Sequence, residues 1–202
     1  MNKYLISFIS VLALVLVTAL WWLKPQPIVL QSATWLGEQA KPLPAFSLTD
    51  HFNQPFTHDS IRGKWHLLFF GYTHCPDICP DTLQMMANML QQLPDPGLRE
   101  KLQPVFITVD PQRDDLATMK TYVNYFHPDI LSAGAEIEQV NRLTSALGIH
   151  HRINQTADEK DYLVEHSGAL ILLSPDARFS AVFMAPHDSG KIADDLTALI
   201  NR

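Results

Sequence analysis

Hydrophobic positions fall along this chain in blocks of different period. Tyr4 to Leu23 is a run of 20 residues without a charge, broken only by Ser7, Ser10 and Thr18. About 20 apolar residues suffice to cross a hydrocarbon layer of ~30 Å, and Trp21 and Trp22 stand where an aromatic belt meets the membrane surface. A secretory signal peptide is the competing reading, but its apolar core is shorter, about 7–15 residues, and ends at a small-residue cleavage site not evident here. The run is therefore expected to be one transmembrane helix within residues 1–24. Residues 25–41 carry Pro25 and Pro27 and little periodicity, which reads as a tether.

From residue 42 to 202 the pattern is that of an α/β domain. "FSLTD" and "QPFTHDSI" predict two short strands, an N-terminal hairpin turning at His51–Gln54. "KWHLLFFGY" and "QPVFITVD" are nearly continuous apolar runs, as strands buried on both faces require. Leu83, Met86, Met89, Leu90 and Leu93 recur at helical spacing, and "ATMKTYVNYF" and "EIEQVNRLTSALG" predict two further helices, the second capped by Gly148. "GALILLSPDARFSAVFMAP" reads as a hairpin turning at Ser174–Arg178, followed by a last amphipathic helix. Strands alternating with helices and ending in a hairpin predict a mixed central sheet.

Composition adds little. The net charge of -6 and the absence of a basic cluster argue against nucleic-acid binding. Lys3 and the amino terminus face only Lys24 across the apolar run, which leans toward a cytoplasmic N-terminus. The domain is then expected on the periplasmic side of the inner (cytoplasmic) membrane, where disulfides are permitted.

The chain has two cysteines, Cys75 and Cys79, between a predicted buried strand and the next helix. That placement is the thioredoxin-like one. A helix start lowers a thiol's pKa, and two thiolates one turn apart, with Cα atoms about 6 Å from each other, can close a disulfide or chelate a soft ion such as Cu(I). An inert or purely stabilising pair is the plain alternative, although so short a loop constrains little of the unfolded chain. A metal needs a third donor, and the nine histidines are candidates. His74 is expected to point away from Cys75, His150, His151 and His187 to lie in solvated loops, and His51, His58, His66 and His127 carry no placement signal. His166 stands at a strand entrance facing the cysteines, a position that also suits an ordinary satisfied polar residue.

"GYTHCPDICPDTL", "ITVDPQRDD" and "VEHSGALILLSPDARF" occur in an order and spacing that resembles the Sco (SenC-type) family of membrane-anchored copper proteins, over roughly residues 42–202. The resemblance implies a thioredoxin-like fold and one copper ion, as Cu(I) or Cu(II), held by Cys75, Cys79 and His166. It also implies delivery to the dinuclear copper centre of cytochrome c oxidase, whose copper-bearing subunit would be the partner, with a periplasmic copper donor or thiol reductant upstream. A thiol-disulfide oxidoreductase acting on the oxidase's cysteines through Cys75 and Cys79 is the alternative. The sequence departs from the family at Glu165, Ala177 and Asp115, where Asp, Gly and Thr are usual. Thioredoxins place a proline opposite their cysteines; His166 and Ser167 occupy that neighbourhood here. In "ITVDPQRDD", Asp114 or Asp115 is expected to cap a helix and Arg113 to pair with a carboxylate, with a role in partner docking or around the site as the alternative. Asp77 is expected to be an exposed turn residue, with an approach to Cu(II) as the alternative.

Overall fold

The computed structural model describes residues 3–22, 29–154 and 162–201. In chain order the elements are α1 (Lys3–Trp22), β1 (Ala33–Trp35), β2 (Lys41–Pro42), β3 (Ser47–Asp50), β4 (Pro55–Thr57), β5 (Trp65–Gly71), α2 (Ile78–Gln92), α3 (Pro96–Lys101) and β6 (Leu102–Thr108). Then follow α4 (Leu116–Phe126), β7 (Leu131–Gly134), α5 (Ile137–Leu147), β8 (His151–Asn154), β9 (Leu163–His166), β10 (Leu170–Leu173), β11 (Arg178–Phe183) and α6 (Ser189–Ile200).

The main sheet runs β1-β11-β10-β5-β6-β7-β3-β4, with β2 also on β11. β5, β6 and β7 are parallel and the remaining pairs antiparallel, so the sheet is mixed as expected. The two apolar runs lie at its centre: β5 is buried from His66 to Gly71, and β6 from Pro104 to Thr108. Parallel neighbours need a crossover, supplied by α2 and α3 between β5 and β6 and by α4 between β6 and β7. α2 turns Leu83, Met86, Met89 and Leu90 inward and packs against α6 and α4. Gly148 caps α5 in the left-handed region at φ 68°, where its N–H reaches back to Ser145.

Three differences from the sequence reading have physical causes. Residues 25–41 are not wholly an irregular tether, because β1 and β2 fall within or across that span and pair with β11. The signal lies far away: the buried carboxylate of Asp195 on α6 accepts from the backbone N–H groups of Gln31, Ser32 and Ala33, each at 2.8 Å. α3 was not expected, although Asp95 caps it and Pro96 takes its first position. His150 and His151 are followed by no simple loop, since His151 opens β8, which pairs with β9 as a separate two-stranded sheet.

α1 is 20 residues long, and its described side chains are exposed. Among the described residues no helix is long and apolar enough to cross a membrane.

Candidate metal centre

β5 and β6 run parallel, so their carboxyl ends emerge side by side, and the Val109 N–H donates to the Gly71 carbonyl at 2.8 Å. Ligand sites in open α/β sheets gather at such edges. Here the edge carries the turn Tyr72–Cys75, closed by the Cys75 N–H on the Tyr72 carbonyl at 3.2 Å. α2 begins only at Ile78, so Cys75 precedes the helix and Cys79 lies in its first turn. Asp77 is the exposed N-cap residue and makes no side-chain cap.

Cys79 is fully buried against Gly71. A Cβ at residue 71 would stand 2.6 Å from the Cys79 sulfur and 3.0 Å from the Phe106 ring, so this strand end must be glycine for the thiol to fit. His166 ends β9 and reaches in from the other side, its Nε2 3.3 Å from the Cys79 sulfur. Its Nδ1 is 3.3 Å from the Ser167 carbonyl, which only accepts, so Nδ1 carries a proton and Nε2 is the nitrogen that faces the sulfur. Tyr72 meets the imidazole edge-on at 5.7 Å and Phe69 at 6.0 Å, fixing the ring plane.

Both cysteines are free thiols, Cys75 half-buried and Cys79 buried. The Cys79 thiol hydrogen-bonds to Cys75 and holds the Cys75 pKa down to about 3, against burial and with help from His166 and the N–H groups of Asp77 and Cys79. The same hydrogen bond, with burial, pushes the Cys79 pKa up. The pair thus titrates as a unit, one sulfur anionic and the other protonated. The helix start contributes, as the sequence reading expected, but less than the partner thiol.

The donor atoms of Cys75, Cys79 and His166 lie within 4.8 Å of one another. Bonds of about 2.0–2.3 Å to thiolate and imidazole put three donors around a trigonal ion roughly 3.8 Å apart, so the residues fit one soft cation with little movement. A cation here replaces the proton the sulfurs share. The other histidines stay apart. His74 is exposed beside Thr73, and His187 hydrogen-bonds the Gly168 carbonyl through Nε2 at 2.7 Å rather than lying free in a loop. His66 and His51 are buried, and their pKa values are lowered mainly by that burial, His66 to about 4. His151 lies opposite His166 in register, half-buried.

The 110–115 segment makes both the cap and the ion pair expected of it, and through Thr73 it also reaches the turn before Cys75. Asp115 caps α4 by accepting from the Thr118 N–H at 2.7 Å. Buried Asp114 accepts from the Thr73 N–H at 3.0 Å, the Thr73 hydroxyl at 2.5 Å and the Thr108 hydroxyl at 2.7 Å, pinning the turn before Cys75. Arg113 pairs with Asp110 at 2.5 Å. The sequence contained these residues but no signal of their partners, Thr73 and the Tyr162 carbonyl that accepts from Arg113 Nη1 at 3.0 Å.

A mixed-sheet thioredoxin-like fold with two cysteines and a histidine converging at a strand–helix junction defines a class of soft-metal-binding and thiol-redox domains. The chain belongs to the SCO1/SenC family, whose model matches residues 36–201. It is 40% identical over 152 residues to the bovine mitochondrial protein SCO2 homolog, covering 75% of this chain and 57% of that one. The chain thus spans less than three-fifths of that relative's length. Among solved structures it resembles Arabidopsis thaliana ScoI with copper bound (TM-score 0.70, 30% identity, 79% of this chain and 98% of that one). It also resembles Bradyrhizobium japonicum ScoI with copper bound (TM-score 0.69, 32% identity, 77% and 98%).

Proposed function

We propose that this protein is a copper metallochaperone that holds one copper ion through Cys75, Cys79 and His166. On this reading it passes the ion to the dinuclear copper centre of cytochrome c oxidase, tethered to the inner (cytoplasmic) membrane by residues 1–24 with its domain in the periplasm. The observation that carries the reading is the convergence of two sulfurs and one imidazole Nε2 within 4.8 Å. A dithiol reductant would use the imidazole only to help keep Cys75 as a thiolate, whereas a metal uses it as a third donor. Relatives of the same fold and family hold copper, which supports copper over other soft ions. Three donors suit Cu(I) and leave room for an incoming thiolate from a target, so transfer proceeds by ligand exchange rather than by stripping the site first.

The low pKa of Cys75 favours a second reading, thiol-disulfide exchange. The Cys75 thiolate would attack a disulfide in the oxidase subunit, and Cys79 would resolve the mixed disulfide. The target leaves as a dithiol and this chain as a Cys75–Cys79 disulfide, which a periplasmic thiol reductant must reduce.

Cells carrying His166→Ala at wild-type expression separate the two. The chaperone reading expects copper-deficient oxidase at limiting copper, partly rescued by added copper. Normal oxidase assembly would transfer the function to the dithiol pair. For the anchor, the full chain should sediment with membranes and resist alkaline extraction; recovery in the soluble fraction would remove that part of the reading.

A further inference from the structure

The β8–β9 hairpin that presents His166 is weakly fastened by apolar contacts. β8 buries no residue completely, and of β9 only Val164 is buried, while Leu163 is 54% exposed. The hairpin is also outside the main sheet. An element with so little burial opens readily unless polar contacts hold it.

One such contact joins His151 of β8 to the Thr144 hydroxyl on α5 at 3.4 Å, and the others meet at Tyr162, the residue just before β9. The Tyr162 hydroxyl donates to the buried carboxylate of Asp110 at 2.6 Å. Arg113 donates through Nε to the other oxygen of Asp110 at 2.5 Å and through Nη1 to the Tyr162 carbonyl at 3.0 Å. Its guanidinium carbon sits 3.6 Å from the centre of the Tyr162 ring and 5.6 Å from that of Tyr72. Nη2 is buried without a hydrogen-bond partner, so part of Arg113's hold comes from this stacking. The Tyr72 phenol oxygen in turn accepts from the Val164 backbone N–H, and the ring stands edge-on to His166. The same turn pins the other half of the centre, through Asp114 on Thr73.

We propose that Arg113, braced by Asp110, is a positioning residue: it latches the His166 hairpin over the cysteine pair and thereby controls whether the imidazole is available to copper. The latch needs a planar guanidinium, because one group must pair with Asp110, bond a carbonyl and stack on a ring together. Its consequence for metal rests on the copper reading above; its mechanical part does not.

The test uses the full-length reduced chain as wild type, Arg113→Met, Arg113→Lys and, as a control in the same segment, Asp115→Ala. Hydrogen–deuterium exchange is followed in peptides covering 151–154 and 162–166, with α6 and β5 peptides as core references. Loss of charge-assisted hydrogen bonds of this kind predicts roughly ten- to a hundredfold faster exchange in the hairpin alone for Arg113→Met. Arg113→Lys should not restore protection, and Asp115→Ala should not produce the effect. Hairpin exchange that rises no more than the core references, or full restoration by Lys, overturns the latch.

The same proteins are then titrated with aqueous Cu(II) and read by electron paramagnetic resonance for nitrogen coupling. Arg113→Met should lose or broaden that coupling while Cu(I), supplied from a competing chelator, still binds. Wild-type nitrogen coupling in Arg113→Met overturns the latch, whereas a wild-type chain that takes up no copper overturns the copper reading and leaves the exchange result to decide the latch.

Discussion

The Cys79 sulfur lies 3.3 Å from Nε2 of His166, 87 residues further along the chain. That contact separates this centre from a bare dithiol: it joins the first turn of α2 to a hairpin outside the main sheet and adds a nitrogen donor to two sulfurs. The donors also differ in what they offer. Thiolates satisfy Cu(I) in near-linear geometry, while Cu(II) prefers nitrogen and oxygen.

His166→Ala should therefore divide the two oxidation states. Cu(I) affinity stays measurable, carried by Cys75 and Cys79. Cu(II) affinity falls by more than the roughly 10–100-fold that losing an outer-shell partner costs, because a direct donor has gone. Competition titrations with chelators for each ion check this. Equal loss for both ions would mean that His166 acts on the cysteines rather than on the metal.

Gly71→Ala should disturb the centre without touching a donor. Its Cβ would stand 2.6 Å from the Cys79 sulfur, with the Phe106 ring at 3.0 Å blocking the other side. Overpacking of this kind costs about 1–3 kcal/mol, and here the sulfur must shift as well. Urea denaturation should show the loss of stability and a copper titration a weaker site. Wild-type values in both would mean that the strand end yields freely.

Ala177 turns the β10–β11 hairpin at φ 60°, with its side chain fully buried. The left-handed region costs an L-residue roughly 1–2 kcal/mol, partly offset by the smaller entropy alanine has in the unfolded chain. Ala177→Gly should stabilise the protein by about 0.5 kcal/mol, net of these terms. A fall in the urea midpoint would contradict this and assign the Ala177 methyl a packing role larger than its strain.

His66 makes stability depend on pH. Burial among β5 and its neighbours lowers its pKa from 6.5 to about 4 in the folded protein. Between those values the unfolded chain binds the extra proton, so stability is complete above about pH 6.5 and is lost as pH falls toward 4. The shift corresponds to something on the order of 3 kcal/mol. Denaturation curves from pH 7 to 4 for wild type and His66→Leu check it: the wild type should lose more. Parallel curves would assign the acid sensitivity to other groups, buried His51 among them.

What the sequence reveals of this fold follows the range of its signals. β5 and β6 announce themselves by unbroken apolar runs, α5 by its helical period and Gly148, and the β10–β11 hairpin by its turn. β1 carries no such pattern, being three residues held by Asp195 from the far end of the chain. β8 and β9 are short and mostly exposed, so neither shows an alternation strong enough to read. The centre divides in the same way. Cys75 and Cys79 are conspicuous by spacing, but His166 stands out from the other histidines through its family motif. The Arg113 contacts with Tyr162 depend on tertiary folding alone. Asp95 and Pro96, by contrast, were a local signal for α3 sufficient to read.

Titrating the full-length chain with copper, once fully reduced and once with Cys75 and Cys79 oxidised to a disulfide, shows whether one copper ion sits on the two sulfurs and the imidazole. One copper per chain is expected for the reduced protein and none for the oxidised one, since the disulfide removes both thiolate donors. Undiminished stoichiometric binding by the oxidised chain would contradict this and place the metal elsewhere.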